Sequence, residues 1–501
     1  MKNKILLLLS TVLIFASCDE FLNETPRHMW ESQTAVSTYE GAEAAVNGIY
    51  AVAFYQDYIG TELHMLNTSQ SGLMNTNAAA YNFTSQQANS PANPWKTFYQ
   101  GINAANLAIS EIPKVGEGEF PTSTRKEELI AEARFLRGWF HSNIMLTYCY
   151  WWSEDESSPY GLLYKGEVTT PDNAYGGRLT VGESWEKIFD DIDYGIEHMS
   201  KTFTTPRRVS LIFAKAWKAK LLMIRGEYED ALDLVQDCLD ALPAAGIAMQ
   251  ADMAEHFKQS WDSKENILVK YLNDDGARVN NAGAYLPMQL ITLAGTKCTD
   301  SQGNEITQEE ADCGLKYGLE WMQADPRWKI VTGKARHYSA TDNTYYWTWT
   351  KLYRQGKYLA ETSAQPDDKF AIYFMRVPEL YIMKAECLAH TGASIADAIA
   401  PINQMRAQRT NPVLPALEPA TDQEMWDAIF QEYVKELILE NGCEFWASMR
   451  IMKDGVTYME HMKTTVTSSY EYDPTKLQFA IPNGEVMYNP SLEGMQNPGQ
   501  E

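Results

Sequence analysis

Positive charge is scarce in this chain, which has 42 lysines and arginines against 66 aspartates and glutamates and a formal net charge of −24. Binding to nucleic acid depends on basic patches that displace counterions from the phosphates. The shortage of basic residues therefore argues against a nucleic-acid partner. We interpret the acidic excess as solvated helix faces that keep the protein soluble, and not as an acidic site.

Long hydrophobic runs are also missing. The most apolar stretch lies at the start, where residues 5–9 and 12–15 follow Lys2 and Lys4. It is too short to cross a bilayer, which needs about 20 apolar residues. Its order of basic, apolar and small residues predicts an export signal. The next residue, Cys18, matches the lipid-attachment site of bacterial lipoproteins, so we expect the mature chain to begin there and to be anchored by acyl chains.

Cysteine is sparse and widely scattered. Six cysteines follow the lipidation site: Cys149, Cys238, Cys298, Cys313, Cys387 and Cys443. This spacing is unlike that of a disulfide scaffold or a zinc site. Only Cys298 and Cys313 flank a polar loop, and the sequence leaves open whether they form a disulfide in an oxidising compartment.

Catalytic signatures are absent from the sequence. It contains no nucleophile-elbow, Walker or zinc-helix motif, and its eight histidines show no metal spacing. We therefore expect a protein that is not an enzyme and that needs no cofactor. A glycoside hydrolase would require two carboxylates about 5 to 9.5 Å apart, but in so acidic a chain a pair such as Asp274 and Asp275 is uninformative. Bound calcium is left open, because no regular Asp-x-Asp loop is present.

Apolar residues recur at helical spacing far more often than they alternate. The clearest example covers residues 181–199, where apolar side chains recur at steps of three and four. Thr180 with Glu183, and Thr421 with Glu424, form capping boxes that predict helix starts. The predicted helices cover residues 38–55, 94–111, 123–148, 181–199, 208–225, 228–241, 376–391 and 422–440. The fold class is therefore mainly α with little β.

Two segments resemble helical hairpins of the tetratricopeptide type. In the first, Ala219 precedes Gly226 and Ala231 at the spacing of that repeat. The second has Ala385 and Gly392 in a similar order. Small residues let two helices approach closely, and the glycines permit tight turns. Such hairpins usually form scaffolds or docking surfaces, so they favour binding over catalysis.

Two long stretches are polar and rich in aromatic residues. Residues 265–350 begin with a short predicted strand at 267–271 and continue as loops, which at this length are more often functional than accidental. Residues 67–95 have a similar composition, rich in polar and aromatic residues. Aromatic rings can stack on the apolar faces of sugars, and neighbouring amides can bind their hydroxyls. The candidate ligand-binding residues are Asn75, Tyr81, Tyr285, Tyr345, Trp347 and Trp349. The alternative is that these rings pack the loops down.

Motifs spread over the whole mature chain resemble the SusD/RagB-like family of surface lipoproteins. The resemblance rests on these segments, in order: residues 18–23, 42–50, Trp95, Tyr99, Ile102, Asn106, 132–137, 325–327, 376–381, 384–386, 402–403, Arg406, 481–482, Glu485, 489–490 and 496–499. One segment departs from the pattern: residues 442–447 stand where such proteins usually carry an arginine and then an aspartate. We interpret these positions, together with Arg134, Arg137, Glu386 and Glu436, as structural, because charges on apolar helices usually pair.

The resemblance implies a helical protein with a loop-rich ligand-binding lobe that captures oligosaccharides at the cell surface. It implies delivery to a partner, a TonB-dependent (SusC-like) outer-membrane transporter, and a lipid-anchored position facing the exterior of the outer membrane. Capture of peptides, or a purely structural lid on the same transporter, are the alternatives within this resemblance. The corresponding organisation is a signal peptide at 1–17, a linker at 18–36, an N-terminal helical region at 37–260 and a C-terminal region with long loops at 261–501.

Overall fold

The computed structural model describes residues 36–55, 62–270, 294–336, 344–351, 371–466 and 473–501. Two predicted functional residues, Cys18 and Tyr285, lie outside these residues. Lipidation and the role of Tyr285 therefore stay predictions.

Helices dominate the described part of the chain. Seventeen α-helices are present there: α1 (Tyr39–Tyr55), α2 (Leu63–Ser71), α3 (Ala78–Tyr81), α4 (Ala92–Glu111), α5 (Arg125–Tyr148), α6 (Val181–His198), α7 (Leu211–Ile224), α8 (Tyr228–Ala241), α9 (Met253–Gln259), α10 (Leu319–Gln323), α11 (Trp328–Val331), α12 (Val377–His390), α13 (Ile395–Ala407), α14 (Asp422–Leu437), α15 (Cys443–Arg450), α16 (Tyr458–Val466) and α17 (Asn483–Tyr488). The predicted mainly α class is confirmed.

The strands are short and form three small antiparallel sheets. They are β1 (Asn266–Lys270), β2 (Thr296–Lys297), β3 (Thr332–Arg336), β4 (Tyr345–Trp349), β5 (Ile372–Arg376), β6 (Met452–Lys453) and β7 (Val456–Thr457). Strand β1 pairs with β5, β6 pairs with β7, and β4 lies between β2 and β3. Every residue of β1 and β5 is buried, which agrees with the apolar run that predicted β1.

All eight predicted helices are present, with ends within a few residues of the prediction. Both capping boxes form. The Thr180 hydroxyl accepts a hydrogen bond from the Glu183 amide at 3.2 Å, and the Glu183 carboxylate accepts one from the Thr180 amide at 2.9 Å. Thr421 and Glu424 repeat this reciprocal arrangement. These local signals fix where α6 and α14 begin.

The two predicted helical hairpins are α7–α8 and α12–α13, and the helices within each pack against each other. Their turns contain Gly226 and Gly392, with φ of +82° and +83°, a conformation that side chains with a Cβ disfavour. Helix α8 also packs against α12, which joins the two hairpins. This contact connects the two regions on either side of residue 260, and the boundary itself stays a prediction.

Candidate ligand-binding site

Strand β4 is the element that presents the predicted aromatic residues. It lies in the centre of its sheet, with Trp347 opposite Lys334 of β3 and Thr296 of β2. Side chains alternate between the two faces of a strand, so Tyr345, Trp347 and Trp349 share one face. The sequence YYWTW therefore places three rings in a row along a single strand.

The inner end of this row is a packing site. Trp349 is fully buried, its Nε1 donates to the carbonyl oxygen of Cys313 at 2.9 Å, and its ring meets that of Trp328 edge-on with centroids 5.5 Å apart. The ring has no face open to a ligand. The prediction of Trp349 as a contact residue is thus wrong in this structure, because the ring is buried against Trp328 and its Nε1 is bound to Cys313.

The outer end of the row is accessible. Tyr345 and Trp347 are both partly exposed. Trp347 is held in place because its Nε1 donates to the carbonyl oxygen of Ile306 at 2.7 Å. The Lys334 ammonium lies 5.2 Å from the centroid of the Tyr345 ring, within the range of a cation–π contact. We call Lys334, Tyr345 and Trp347 the aromatic surface.

The second predicted stretch reaches the same loop. Met74 pairs with Leu315 in an antiparallel bridge, and the Lys316 amide donates to the Leu73 carbonyl oxygen at 2.7 Å. Asn75 follows directly and is exposed. Leu315 lies two residues from Cys313, which accepts the Trp349 hydrogen bond. The structure thus connects the 67–95 stretch to the β3–β4 hairpin through one loop.

Tyr81 has a different environment from the one predicted. Its side chain is only 2% exposed, and the Lys463 ammonium lies 3.7 Å from its ring centroid. Burial lowers the pKa of Lys463 to about 7. The prediction of Tyr81 as a ligand contact is therefore wrong in this structure, since α16 covers the ring.

A buried network of ion pairs fastens both ends of the β3–β4 hairpin. Arg327 precedes β3 and contacts Asp325 at 2.9 Å and Glu432 at 2.7 Å. Lys351 follows β4 and contacts Glu440 at 2.6 Å. Burial raises the pKa of Glu440, but the charges of Arg376 and Lys351 outweigh this and hold that pKa below its ordinary value. The hairpin that carries the aromatic surface is thus tied on one side to α14, through Glu432, and on the other side to Glu440, three residues beyond the end of that helix.

The four charged residues outside 442–447 that the sequence marked as structural are all paired. Arg134 and Arg137 both contact Asp191, at 2.9 and 2.7 Å. Glu386 pairs with Arg450 at 2.7 Å. The remaining residue, Glu436, contacts three arginines: Arg327, Arg376 and Arg409. These pairings match the structural interpretation.

An exposed apolar patch has no counterpart in the sequence prediction. Tyr175, Met487 and Tyr488 are 60%, 65% and 73% exposed. The Asn489 side-chain amide donates to the Gly176 carbonyl oxygen at 3.1 Å, so the two chain segments that carry these residues are adjacent. We call these three residues the tyrosine patch. Little in the sequence indicates this patch, because single apolar residues are common on protein surfaces.

Neither a metal-ligand cluster nor a disulfide is found among the described residues. No group of three or more His, Cys, Asp or Glu side chains among them is arranged to hold a metal ion. All six cysteines after Cys18 are buried free thiols, so the structure has no disulfide between Cys298 and Cys313. None of the described helices is both long enough and apolar enough to span a membrane.

Comparison with known proteins gives two adjoining family matches. Residues 20–221 match a family described as "Starch-binding associating with outer membrane", and residues 245–499 match the SusD family. A SusD-like protein of Bacteroides ovatus is 22% identical over 281 residues, which cover 54% of this chain and 49% of that relative. The match thus spans about half the length of this curated relative.

Solved structures show the same fold. A SusD superfamily protein from Bacteroides thetaiotaomicron superposes with a TM-score of 0.68 at 19% identity, covering 92% of this chain and 100% of the other. A laminarin-binding SusD-like protein superposes with a TM-score of 0.66 at 17% identity, again covering 92% and 100%. Because the match to the SusD family alone spans just over half of the sequence, this chain belongs to the SusD/RagB family.

Proposed function

We propose that this protein binds glycans at the aromatic surface formed by Lys334, Tyr345 and Trp347. The observation that carries the proposal is that two partly exposed rings share one face of β4, in a hairpin that is flanked on both sides by buried ion pairs. A fixed ring loses little conformational freedom when a sugar stacks on it. The hairpin is therefore suited to present Tyr345 and Trp347 as a platform on which sugar rings stack.

The chemistry of the neighbourhood is compatible with sugars. Stacking on Tyr345 and Trp347 would bury the apolar C–H faces of pyranose rings, while the exposed amide of Asn75 could bind hydroxyl groups. Lys334 could donate to a ring substituent. A few such contacts give micromolar to millimolar affinity, about −8 to −4 kcal/mol, which permits release of the cargo.

The proposed role is capture and delivery without bond cleavage. The family description includes association with the outer membrane, and one structural neighbour is described as laminarin-binding. We infer that this chain is anchored through Cys18 on the outer face of the outer membrane and passes oligosaccharides to a TonB-dependent, SusC-like transporter. Weak binding fits this role, because a tightly held glycan could not be handed on.

The experiment is a binding screen with the chain from residue 19 onward, which retains every described residue. Calorimetry and retardation in glycan-loaded gels would test laminarin first, then other neutral and acidic polysaccharides and host glycans. Tyr345→Ala and Trp347→Ala are the test variants. Tyr488→Ala removes an exposed tyrosine from the tyrosine patch and is the matched control for Tyr345→Ala.

The expected result is binding to one class of glycan, weakened about 3- to 10-fold or more by each test variant and unchanged by Tyr488→Ala. Binding that survives both test substitutions would place the site elsewhere. If no glycan binds and extended peptides do, peptide capture replaces the proposal. If neither ligand class binds, the remaining role is a structural lid.

A further inference from the structure

A groove of about 990 Å³ lies between α6 and the α7–α8 hairpin. Helix α7 packs against both α6 and α8 and so forms the base of the groove. None of the lining residues belongs to the aromatic surface. The groove therefore shares no residue with the surface assigned to glycan.

The floor of this groove is apolar and partly accessible. The rings of Trp185 and Phe189 are stacked on α6 with centroids 5.9 Å apart, and Leu222 and Leu234 line the same floor. Phe189 and Leu234 are partly exposed, although each packs against the protein core. An apolar guest side chain could therefore be buried against these two residues.

The walls are strongly acidic. Six carboxylates and two cations line the groove, which gives it a formal charge of −4. Both cations are already neutralised, since Lys218 lies 2.5 Å from Asp193 and Arg225 lies 2.6 Å from Glu227.

Three wall carboxylates have no such partner. Glu186 on α6, with Asp230 and Asp233 on α8, is exposed, and none of the three forms an ion pair with another residue in the part of the chain described. Negative charge without a counter-charge thus faces the groove from both sides.

The groove already holds cations over its aromatic floor. The Lys218 ammonium lies 5.9 Å from the Phe189 centroid, and the Arg225 guanidinium lies 5.4 Å from the Trp185 centroid. Both distances fall within the range of cation–π contacts. The combination of aromatic floor and acidic rim is thus suited to lysine and arginine side chains.

We propose that this acidic groove docks an amphipathic, cationic helical segment of a partner protein. The apolar face of the segment would lie on Phe189 and Leu234, and its lysines and arginines would face Glu186, Asp230 and Asp233. Helix-in-groove recognition uses this arrangement of apolar anchors and flanking charge. A second copy of the chain is disfavoured because it is itself strongly anionic, with a formal charge of −24.

The test uses the chain from residue 19 onward and a fluorescein-labelled helical peptide of about 14 leucines and lysines, with the leucines on one face. Fluorescence anisotropy would be measured at about 50 mM and about 300 mM salt. A peptide of the same composition with leucine and lysine alternating has no apolar helical face and is the first control. A leucine–glutamate helix is the second control.

Two triple variants distinguish attraction of the peptide to the groove carboxylates from its attraction to the overall negative charge of the protein. The groove variant combines Glu186→Gln, Asp230→Asn and Asp233→Asn. The matched control combines Glu119→Gln, Glu197→Gln and Glu229→Gln, which are exposed acids outside the groove lining. Both variants change the net charge by the same amount. All of these side chains are on the surface, so thermal unfolding should be unchanged and folding is not in question.

The expected result is that the groove variant weakens peptide binding about tenfold or more at low salt, whereas the matched control changes it less than about twofold. The pair Phe189→Ala and Leu234→Ala should also weaken binding. Equal losses in the two triple variants, or equal binding of the alternating peptide, would overturn the proposal. Spermine that binds as tightly as the peptide, with no effect of the floor variants, would assign the groove to small polycations and would also overturn it.

Discussion

The Lys220 ammonium lies 2.8 Å from the Glu379 carboxylate in the interior, where α7 meets α12. The two side chains are only 4% and 2% exposed. The Cys443 thiol lies 3.5 Å from the same ammonium and donates to Glu379 at 3.2 Å. Residues 442–447 depart from the arginine-bearing pattern that the family resemblance predicts, and in this chain Lys220 places a cation beside that segment from another helix.

Replacement of Lys220 by methionine should strongly destabilise the protein. The substitution leaves the Glu379 carboxylate buried without its cation, a loss of about 3–5 kcal/mol in the free energy of unfolding. Urea unfolding followed by circular dichroism would measure it. Lys218→Met is the control, because Lys218 pairs with the exposed Asp193 and should lose less than about 1 kcal/mol. The double variant Lys220→Met/Glu379→Gln should recover part of the loss, and a double variant no better than Lys220→Met alone would contradict this account.

Acid should remove a stabilising contribution of Glu265. Burial raises the pKa of this carboxyl, but the charges of Arg409 and Arg376 outweigh burial and lower the pKa to about 2, against 4.5 for the free group. The folded state therefore favours the ionised form. The contribution is complete above pH 4.5 and is lost as the pH falls from 4.5 towards 2.

Unfolding free energies of the wild type and Glu265→Gln would be compared between pH 7 and pH 2. The variant should be less stable at pH 7, and the difference should shrink as the pH falls below 4.5. Glu229→Gln, at an exposed position on α8, should match the wild type throughout. A difference between wild type and Glu265→Gln that stays constant over the whole range would be inconsistent with the low pKa.

Most of the helical scaffold was predictable because its signals are local. A capping box and apolar residues at steps of three and four define α6 within a single stretch of 18 residues. The turn glycines of the α7–α8 and α12–α13 hairpins act within their own loops. The ion pairs that join these elements are different. The partner of Lys220, for example, lies 159 residues further along the chain, and no local pattern reveals it.

The candidate site was predictable in part for the same reason. The sequence identified residues 345–349 as rich in aromatic residues. It could not distinguish Trp347 from Trp349, because the two tryptophans are chemically identical and lie in the same short segment. The difference comes from tertiary packing, which buries Trp349 against Trp328 and Cys313 and leaves Trp347 partly exposed. Tyr81 was misassigned because Lys463, which covers its ring, lies 382 residues away. Exposure depends on long-range packing that composition does not encode.

The two tryptophans of β4 should respond differently to truncation. Trp349→Ala should lower the free energy of unfolding by about 3–5 kcal/mol, because it empties a packed site next to Trp328. Trp347→Ala should cost less stability and should weaken glycan binding. Thermal unfolding and glycan titration of both variants would be compared. A stable Trp349→Ala protein that has lost only glycan binding would reverse the assignment of Trp349 to packing.

The six cysteines after Cys18 should all titrate as free thiols. They are buried, so the folded protein should react slowly with a thiol reagent, and the denatured chain from residue 19 onward should react completely without prior reduction. Mass spectrometry of alkylated peptides would identify each site. A Cys298–Cys313 peptide linked under these conditions, and released only by reductant, would show the disulfide that the sequence left open.

The tyrosine patch should contribute to binding of the SusC-like transporter that we propose as partner, and not to binding of glycan. Its three members leave large side chains in water on two adjacent chain segments, and exposed apolar patches usually mark interaction surfaces. We expect Tyr175→Ser/Tyr488→Ser to reduce co-purification with a co-expressed SusC-like transporter by about tenfold or more, since buried aromatic residues often dominate interfaces. Glycan affinity should remain at the wild-type value.

Tyr345→Ala provides the reciprocal control in the same experiment, because it should weaken glycan binding and leave co-purification intact. Both variants alter tyrosines with accessible side chains, so a general effect of losing surface aromatic groups would appear in both. If the patch variant loses glycan binding and retains the transporter, the two surfaces have been assigned the wrong way round. Normal co-purification together with normal glycan binding would leave the patch without a role in either interaction.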